Sequence, residues 1–247
     1  RSPTCRPCST RSSPGSRPAG PSARASATAP HVNSVGLAFV PIPRFKTLVG
    51  THPVRVQDYQ LYCTAKNITF PDQKNPTDLT HPVVNVSWQE AIDYCLWLTS
   101  KERDEGIMPK DQFYRMLSDL EWSAAIGLPN EGEDTPGERS KQKQGYPWGP
   151  GYPPRKDFGN YHQTLKKDDF EFTSPVDAFL PNDLGIYDLS GNVWEWVMDN
   201  YNATRTYHTL RGGAWDFCGT GLMSSARNAN DPNGRGTSIG FRIAWSA

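Results

Sequence analysis

The sequence LGIYDLSGNVWEW, residues 184–196, combines turn-forming, acidic and aromatic residues more densely than any other stretch of the chain. Asp188 and Glu195 supply carboxylate oxygens, and Gly191 permits a backbone conformation that aims main-chain carbonyls at the same point. Calcium binds to sets of oxygen ligands of this kind. Two tryptophans flank the glutamate at the two-residue spacing of a strand. The stretch predicts either a calcium-binding turn or, without metal, a hydrogen-bonded turn followed by two core tryptophans.

Two helices are predicted on the amino-terminal side of this stretch. Residues 54–65, VRVQDYQLYCTA, place apolar side chains at helical spacing. The second helix begins at a capping box, Ser87-Trp-Gln-Glu90, in which the two side chains satisfy each other's free amides. A similar box at residues 118–121 opens a shorter helix, and residues 129–144 are expected to form a charged surface loop. Because the remainder consists of short strands and long loops, the predicted fold class is α+β.

Composition excludes several classes of partner. Lys and Arg together number 26, as do Asp and Glu, so no general attraction to nucleic acid or to an anionic membrane is expected. No apolar run reaches the length that spans a bilayer. Residues 1–33 are rich in Ser, Pro and Arg and contain no acidic residue, which predicts a disordered tail or linker before a domain at residues 34–247.

The chain has five cysteines, an odd number that argues against a closed disulfide framework. Cys63 and Cys95 lie in the predicted helices, where a buried thiol behaves as a small apolar side chain. Cys5 and Cys8 form a CxxC pair, but one such pair without further ligands is weak evidence for zinc. Cys218, near the carboxyl end, is the remaining cysteine.

Six segments together resemble one family. They are HPVVNVSWQEAIDYCLWL (81–98), LSDLEWSAAIG (117–127), YPWG (146–149), TSPVDAFLPNDLGIYDLSGNVWEW (173–196), LRGGAWDF (210–217) and IGFRIA (239–244). In order and spacing they resemble formylglycine-generating-enzyme-like, or sulfatase-modifying-factor, domains, and the resemblance runs from about residue 35 to residue 244. It implies that family's variant of the C-type-lectin fold, a twisted, mostly antiparallel sheet with two helices and long loops.

The resemblance also implies two structural calcium ions. The first would be held by two side chains and two carbonyls, those of Asp188 and Glu195 and of Gly191 and Val193. The second would be held by the side chains of Asn160 and Asp168 and the carbonyls of Tyr161 and Phe170. The first motif is preserved almost residue for residue, whereas the loop that carries the second is shorter than in the family.

Oxidase members of the family convert a target cysteine to formylglycine with two thiolates that bind copper, a metal that favours soft sulfur ligands. In those enzymes both cysteines follow the Gly-Gly-Ser/Ala-aromatic turn, separated by four residues. Here Cys218 lies one position away from the first, and Leu222 and Met223 stand where the second would be. The sequence therefore predicts no copper, no catalytic residue and no enzyme. The five histidines also lack the spacing of the iron-dependent sulfoxide-synthase branch.

Two kinds of non-enzymatic relative remain. One is a paralogue that lacks the cysteines and associates with sulfatases. The other is the variable protein of diversity-generating retroelements, in phages, bacteria and archaea. In that system template adenines are randomised as the template is copied into the last codons of the gene, and Asn codons are the preferred targets. The variable region lies between Arg-Gly-Gly-Ser/Ala-Trp and Ile-Gly-Phe-Arg, and residues 211–242 show this frame.

The segment at about residues 215–238 follows neither helical nor strand periodicity, and it contains no Lys, Glu or Gln, which Asn codons could not produce by changes at adenine. The predicted variable, ligand-binding positions are Asp216, Phe217, Cys218, Thr220, Gly221, Asn228, Asn230, Asn233, Gly234, Gly236, Thr237 and Ser238. The residues expected to point inward are Trp215, Leu222, Ala226, Ile239 and Phe241. Arg211 and Arg242 are expected to hold the frame by hydrogen bonds.

These features favour a non-catalytic binding protein, displayed on a cell surface or a virion, whose C-terminal residues are diversified by a retroelement. Its ligand, a protein or a glycan, is not identified by the sequence, and lectin-fold ancestry alone does not establish sugar binding. The alternatives are a cysteine oxidase, its inactive sulfatase-associated paralogue, and a plain folded domain that links other parts.

Overall fold

The computed structural model describes residues 30–73, 78–132, 134–156, 158–204 and 206–246. The helices are α1 (Val56–Lys66), α2 (Trp88–Asp104), α3 (Asp119–Ala125) and α4 (Pro136–Arg139). The strands are β1 (His31–Val32), β2 (Ala38–Pro41), β3 (Leu48–Gly50), β4 (Phe113–Met116), β5 (Trp194–Asn200), β6 (His208–Arg211), β7 (Arg227–Asn230), β8 (Ile239–Phe241) and β9 (Ile243–Ser246). Single 3-10 turns lie at Gln163–Leu165 and Gly219–Leu222.

The strands form two sheets, which are mostly antiparallel as predicted. A five-stranded antiparallel sheet has the order β1-β2-β3-β9-β4, and a four-stranded sheet has the order β7-β6-β5-β8. Strands β5 and β8 are the parallel pair, and every other pair is antiparallel. Arg242 alone separates β8 from β9, so the last segment of the chain joins the two sheets. The predicted α+β class is confirmed.

Both capping boxes form as predicted. The hydroxyl of Ser87 accepts a hydrogen bond from the amide of Glu90 at 3.3 Å, and the Glu90 carboxylate accepts one from the Ser87 amide at 2.7 Å. The corresponding distances for Ser118 and Glu121 are 3.2 and 2.8 Å. Each box satisfies two amides that the first helical turn leaves without partners. The starts of α2 and α3 are therefore fixed by local sequence.

The two faces of β5 pack against different apolar clusters. Trp194 and Trp196 belong to the larger cluster, which contains the buried faces of α1 and α2. Val197 belongs to the smaller cluster, beside Trp122 of α3. Alternate side chains of a strand point to opposite faces, so β5 is buried on both. The tryptophan spacing thus correctly predicts a strand with two core tryptophans.

Two predictions about surface segments need correction. β1 lies within the segment predicted as a tail, while residues 1–29, including Cys5 and Cys8, lie outside the described residues. The predicted charged loop at 129–144 contains α4, and Glu131 and Arg139 within it are only 7% and 4% exposed. Charged side chains can be buried here because each has partners of opposite charge.

Candidate ligand-binding surface

None of the twelve predicted variable positions is buried. Thr220 and Asn233 are exposed, and the other ten are half-buried. Between residues 216 and 238, the buried residues are Leu222 and the run 224–227. Residues 216–238 therefore consist mostly of solvent-accessible residues, interrupted by a short buried part at Leu222 and 224–227.

Four of the five residues that were expected to point inward are buried. The residues that point inward, each at most 9% exposed, are Leu222, Ala226, Ile239 and Phe241. Trp215 was also expected to point inward, but it is half-buried. Its indole N–H donates to the carbonyl of Thr237 at 3.2 Å, and its ring contacts Phe172 edge-on at 5.2 Å between centroids. These contacts place Trp215 beside the variable positions, at the border of the core.

A strand runs through the middle of the predicted variable segment, residues 215–238, where the sequence shows no strand pattern. β7 forms the edge of the four-stranded sheet and pairs with β6, so that Asn228 lies opposite Leu210 and Asn230 opposite His208. Side chains of directly opposed residues share a face of the sheet. Asn228 and Asn230 therefore lie on the same face as Leu210, which contributes to the larger core cluster.

Phe217 is partly fixed by packing. Its ring meets Trp194 edge-on, with 5.0 Å between the ring centroids. A Cβ atom at Gly221 would lie 2.9 Å from the Phe217 ring, so the glycine makes room for it. Phe217 therefore contributes to the packing beneath the surface and is less available as a free anchor than its sequence position indicates.

Asp216 is the most unusual polar group of the surface. One carboxylate oxygen lies 3.3 Å from the hydroxyl of Ser238, while the other, Oδ1, is buried and has no hydrogen-bond partner within the part of the chain that the structure describes. Burial raises the pKa of this carboxyl group. An ionised, buried oxygen without a donor is costly, so a ligand that brings a donor would relieve this cost.

Residues 231–236 are attached to the start of α2 through the main chain. The amide of Trp88 donates to the carbonyl of Pro232, and the amide of Asn85 donates to the carbonyl of Gly236, both at 3.0 Å. Arg235 adds an exposed ion pair to Glu90 at 2.8 Å. Because the acceptors are main-chain carbonyls, these two hydrogen bonds do not depend on which side chains positions 232 and 236 carry. This loop therefore keeps its position when neighbouring side chains change.

Arg211 anchors the start of the frame. It is fully buried and donates to the carbonyls of Ser224 and Ala226 at 3.0 and 3.2 Å, which lie inside the variable segment. Its guanidinium also pairs with the carboxylate of Asp119 and lies over the Trp122 ring, 4.3 Å from the centroid. The predicted hydrogen-bonding role of Arg211 is confirmed.

Arg227, which the sequence reasoning missed, is the central residue of a buried ionic cluster. It donates to Asp119 at 3.0 Å and to Glu131 at 2.6 Å, and Arg139 reaches Asp119 at 2.7 Å. Burial alone would raise the pKa of Asp119, but the guanidinium groups of Arg211 and Arg227 outweigh it and hold this pKa well below the usual range. Three arginines and two acids thus hold the buried half of the variable segment.

Arg242 anchors the other end of the frame. It donates to Glu195 at 2.7 Å and to the carbonyls of Gly50 and Tyr187 at 2.9 and 2.7 Å. Glu195 also accepts from the Trp122 indole N–H at 3.1 Å. The predicted calcium ligand Glu195 is therefore engaged by Arg242, which the sequence placed in the frame without assigning this partner.

The first predicted calcium set fits a cation only in part. Asp188 is 9% exposed, and burial raises the pKa of its carboxyl group to about 7. It accepts a hydrogen bond from the side-chain amide of Asn192 at 2.9 Å. Gly191 has φ +81°, and a Cβ there would lie 2.3 Å from the Asn160 carbonyl oxygen. The turn and Asp188 suit an oxygen-bound cation, whereas Glu195 is already neutralised by an arginine.

The second predicted set fits better. The side-chain oxygen of Asn160 is buried without a hydrogen-bond partner in the described chain, while its amide nitrogen donates to the Phe172 carbonyl at 2.6 Å. Asp168 accepts from the amides of Tyr161 and Phe170 at 2.9 and 3.1 Å, and burial raises the pKa of its carboxyl group. Asp168 is therefore held against the backbone of Tyr161 and Phe170, and Asn160, the residue before Tyr161, adds a buried oxygen without a partner; oxygen atoms of both kinds suit calcium.

The cysteines do not assemble a pair of thiolates in the described chain. Cys218 takes part in a disulfide, which the sequence analysis did not predict. Cys63 and Cys95 are buried free thiols, as predicted, and burial raises the pKa of both. Leu222, one of the two residues expected at the position of the second cysteine, is 1% exposed and packs into the core. Within the described ranges no group of three or more His, Cys, Asp or Glu is arranged to hold a metal.

Comparison with known proteins places the chain in a family. Residues 42–247 match the sulfatase-modifying factor enzyme 1-like domain. The chain is 33% identical over 180 residues to "Inactive C-alpha-formylglycine-generating enzyme 2" of Bos taurus, covering 68% of this chain and 52% of the relative. It is 28% identical over 199 residues to the formylglycine-generating enzyme of Mus musculus, covering 70% and 46%. The chain spans about half the length of these curated relatives.

Solved structures agree with this fold. PvdO of Pseudomonas aeruginosa superposes with a TM-score of 0.62 at 23% identity, covering 81% of this chain and 80% of its own. Treponema denticola variable protein 1 superposes with a TM-score of 0.57 at 20% identity, covering 90% and 92%. The predicted formylglycine-generating-enzyme variant of the C-type-lectin fold is confirmed. With the profile match across most of its length, the chain belongs to the sulfatase-modifying factor enzyme 1-like domain family.

Proposed function

We propose that this chain is a non-catalytic ligand-binding protein whose C-terminal surface residues are diversified by a retroelement. One observation carries the proposal: all twelve predicted variable positions are at least partly exposed, while Arg211, Arg227 and Arg242 are buried in ionic contacts. A rigid frame lowers the entropy lost on binding, so affinity can come from a few exchanged contacts. Display on a cell surface or a virion would give such a protein access to its ligand.

A non-catalytic role is supported by the chemistry of the cysteine oxidases. Copper-dependent oxidation of cysteine there needs two soft thiolates, whereas the sulfur of Cys218 is engaged in a disulfide, and Leu222 and Met223 stand where the sequence analysis placed the second cysteine. An inactive paralogue that associates with sulfatases is the second candidate, favoured by the 33% identity to the inactive mammalian enzyme. Such a paralogue would have one fixed partner and a constant C-terminal sequence.

Sequencing the 3′ end of the gene and its surroundings in many individuals separates these two candidates. The expected result is a nearby partial copy of the codons for residues 211–242 that differs at adenines, with variation at the twelve predicted positions. Codons for Leu222 and for residues 224–227 should be constant, because their side chains are buried. A single invariant copy without a template would contradict diversification and favour the paralogue.

Calcium is the second part of the proposal. The loop that carries Asn160 and Asp168, and the turn at Asp188, would hold structural calcium and so stiffen the base of the variable surface. A ligand that binds only the folded state stabilises it by about 2.7 kcal/mol at one hundred times its dissociation constant. Calcium added to EDTA-treated protein should therefore raise the midpoint of thermal unfolding by several degrees, and magnesium should not.

A pair of variants tests the loop site directly. Asn160→Ala removes the unpartnered oxygen and should reduce the difference in unfolding midpoint between calcium and EDTA. Asn233→Ala, at an exposed position, should leave that difference unchanged. Equal midpoints of the wild-type protein in calcium and in EDTA would contradict the calcium proposal.

A further inference from the structure

Strand β7 has one side without a partner strand among the described residues. It is the last strand in the order β7-β6-β5-β8, and it pairs with β6 in antiparallel direction. The main-chain amides of an edge strand alternate between the side that faces its neighbour and the side that faces away. The outward row of amides and carbonyls can pair with a strand of another chain, and native proteins usually carry a feature that prevents this pairing.

Two asparagines of β7 bond to the main-chain amides that follow them. The side-chain oxygen of Asn228 accepts from the amide of Ala229, and that of Asn230 accepts from the amide of Asp231, both at 2.9 Å. Because these amides are two residues apart, they lie on the same side of the strand. Both donate to side chains of β7 itself, which places them on the side that faces away from β6. The asparagines therefore cap two donors of the outer edge.

Neighbouring segments limit this edge at both ends. Before β7, the amide of Ser224 donates to the carbonyl of Gly145, and the hydroxyl of Ser225 accepts from the amide of Gln144, both at 2.9 Å. After Asp231, residue 232 is a proline, which has no amide hydrogen to offer to another strand. The two capped amides lie between these limits, where a strand of another chain would have to bond.

Charge gives this stretch little protection. Exposed charged side chains, lysine above all, are a common means of keeping sheet edges apart. Residues 228–230 are uncharged, and the side chain of Arg227 before them is buried in the ionic cluster. Asp231 adds one exposed charge at the end of the stretch. The side-chain caps are therefore the feature that stands between the centre of this edge and a pairing strand.

Gly234 gives the Asn230 side chain the room that its cap requires. A Cβ atom at residue 234 would lie 2.8 Å from Nδ2 and 2.9 Å from Oδ1 of Asn230. Contacts this short force a side chain to move, so alanine at residue 234 would displace Asn230 and leave the amide of Asp231 without its acceptor. Gly234→Ala therefore opens part of the edge without changing either asparagine.

The partner that fits this edge is a second copy of the chain. A two-fold axis beside β7 would place the β7 strands of two copies antiparallel to each other, and a two-fold interface makes each contact twice. The same short stretch then supplies the donors and the acceptors of both strands. The four-stranded sheet would continue from one copy into the other.

We propose that Asn228 and Asn230 keep the edge of β7 closed to a second copy of this chain, so that the residues at these two positions decide whether the protein self-associates. Asparagine or aspartate presents an oxygen to the next amide, whereas alanine does not. The proposal does not depend on diversification of the gene. If positions 228 and 230 do vary, a change there would alter assembly as well as ligand contacts.

Sedimentation velocity of the full chain across a range of concentrations tests the proposal. Asn228→Ala together with Asn230→Ala removes both caps and should raise the constant for self-association at least about fivefold, the factor to which the net contribution of one hydrogen bond corresponds. Gly234→Ala should act in the same direction by a smaller factor. Asn233→Ala is the matched control at an exposed asparagine outside β7, and it should sediment like the wild type.

Amide hydrogen exchange locates the association. In the double alanine variant, the amides of Ala229 and Asp231 should exchange faster than in the wild type at low protein concentration. They should regain protection as the concentration rises, because a partner strand then replaces the caps. The urea midpoint shows whether each variant is folded. If the double variant does not fold, Gly234→Ala decides the question, since it should speed the exchange of Asp231 and leave that of Ala229 unchanged.

Three results would overturn the proposal. They are a folded double variant that sediments like the wild type, a wild type that associates as strongly as the double variant, and equal association of the Asn233→Ala control. These outcomes are independent of the gene-sequencing experiment. A gene without a template would remove the diversification and keep the capped edge, whereas caps without effect on association would leave the diversification untouched.

Discussion

Asp119→Asn is expected to destabilise the fold by about 3–5 kcal/mol, because it leaves buried arginines without their counter-charge. Asp119 is fully buried and contacts Arg139, Arg211 and Arg227. Glu131 would still pair with Arg227 at 2.6 Å. Asp199, whose carboxylate accepts from the Asp119 amide at 2.7 Å, would act on Arg139 only at longer range. The measurement is the urea midpoint of unfolding, with Asp183→Asn as the control because Asp183 is exposed. A change as small as that of the control would contradict the role assigned to Asp119.

The same variant has a predictable dependence on pH. The pKa of Asp119 in the folded protein lies below its ordinary value of 3.8, so its stabilising effect is complete above pH 3.8 and is lost as the pH falls toward the folded pKa. Wild type and Asp119→Asn should therefore differ most near neutral pH and converge as the pH falls below 3.8. A difference that stays constant down to strongly acidic pH would point to packing, not charge.

If the C-terminal residues are diversified as proposed, the ionic cluster limits which codons can change. Arg227 lies in the middle of the variable segment, yet its side chain is buried between Asp119 and Glu131. Replacing Arg227 would leave the buried carboxylate of Glu131 without its arginine partner, which would destabilise the fold. Replacing Asn228, the next residue, changes only a half-buried side chain. The boundary between constant and variable codons should therefore follow the burial of side chains, residue by residue.

The features that could be predicted from the residues themselves are those that a few consecutive residues determine. The capping box at Ser87 and Glu90 needs only four consecutive residues, and it forms at the predicted place. The alternation around Glu195 correctly indicates a strand with core tryptophans. The family resemblance supplied the remainder of the fold, since strand order and the division into two sheets depend on contacts that no local pattern encodes.

What could not be predicted depends on partners distant in sequence. Glu131 and Arg227 are 96 residues apart, and Asp119 and Arg227 are 108 apart, so neither pair has a sequence signature. The residues of β7, RNAN, show no strand pattern of their own, and the strand forms through its antiparallel pairing with β6. The cavity that Val56 and Thr237 both line escaped prediction for the same reason, since these two residues come from opposite ends of the domain.

Glu195→Gln is expected to destabilise the fold by about 3–5 kcal/mol, since it leaves the buried guanidinium of Arg242 without its counter-charge. Glu195 and Arg242 are each 1% exposed and 2.7 Å apart. Arg242 joins β8 to β9, so its displacement would loosen the connection between the two sheets. The urea midpoint again measures the loss. Asp177→Asn, at an exposed carboxylate, is the matched control and should unfold like the wild type.

Repeating this measurement in calcium and in EDTA decides what Glu195 does. If its carboxylate serves Arg242, as the geometry indicates, the loss caused by Glu195→Gln is the same in both media. If Glu195 is instead a calcium ligand, as the family resemblance implies, the loss is large in calcium and nearly disappears in EDTA. The double variant Glu195→Gln with Arg242→Met separates the two further. Removing both charges avoids an unpaired arginine, so the double variant should be more stable than Glu195→Gln alone when the pair is the main role.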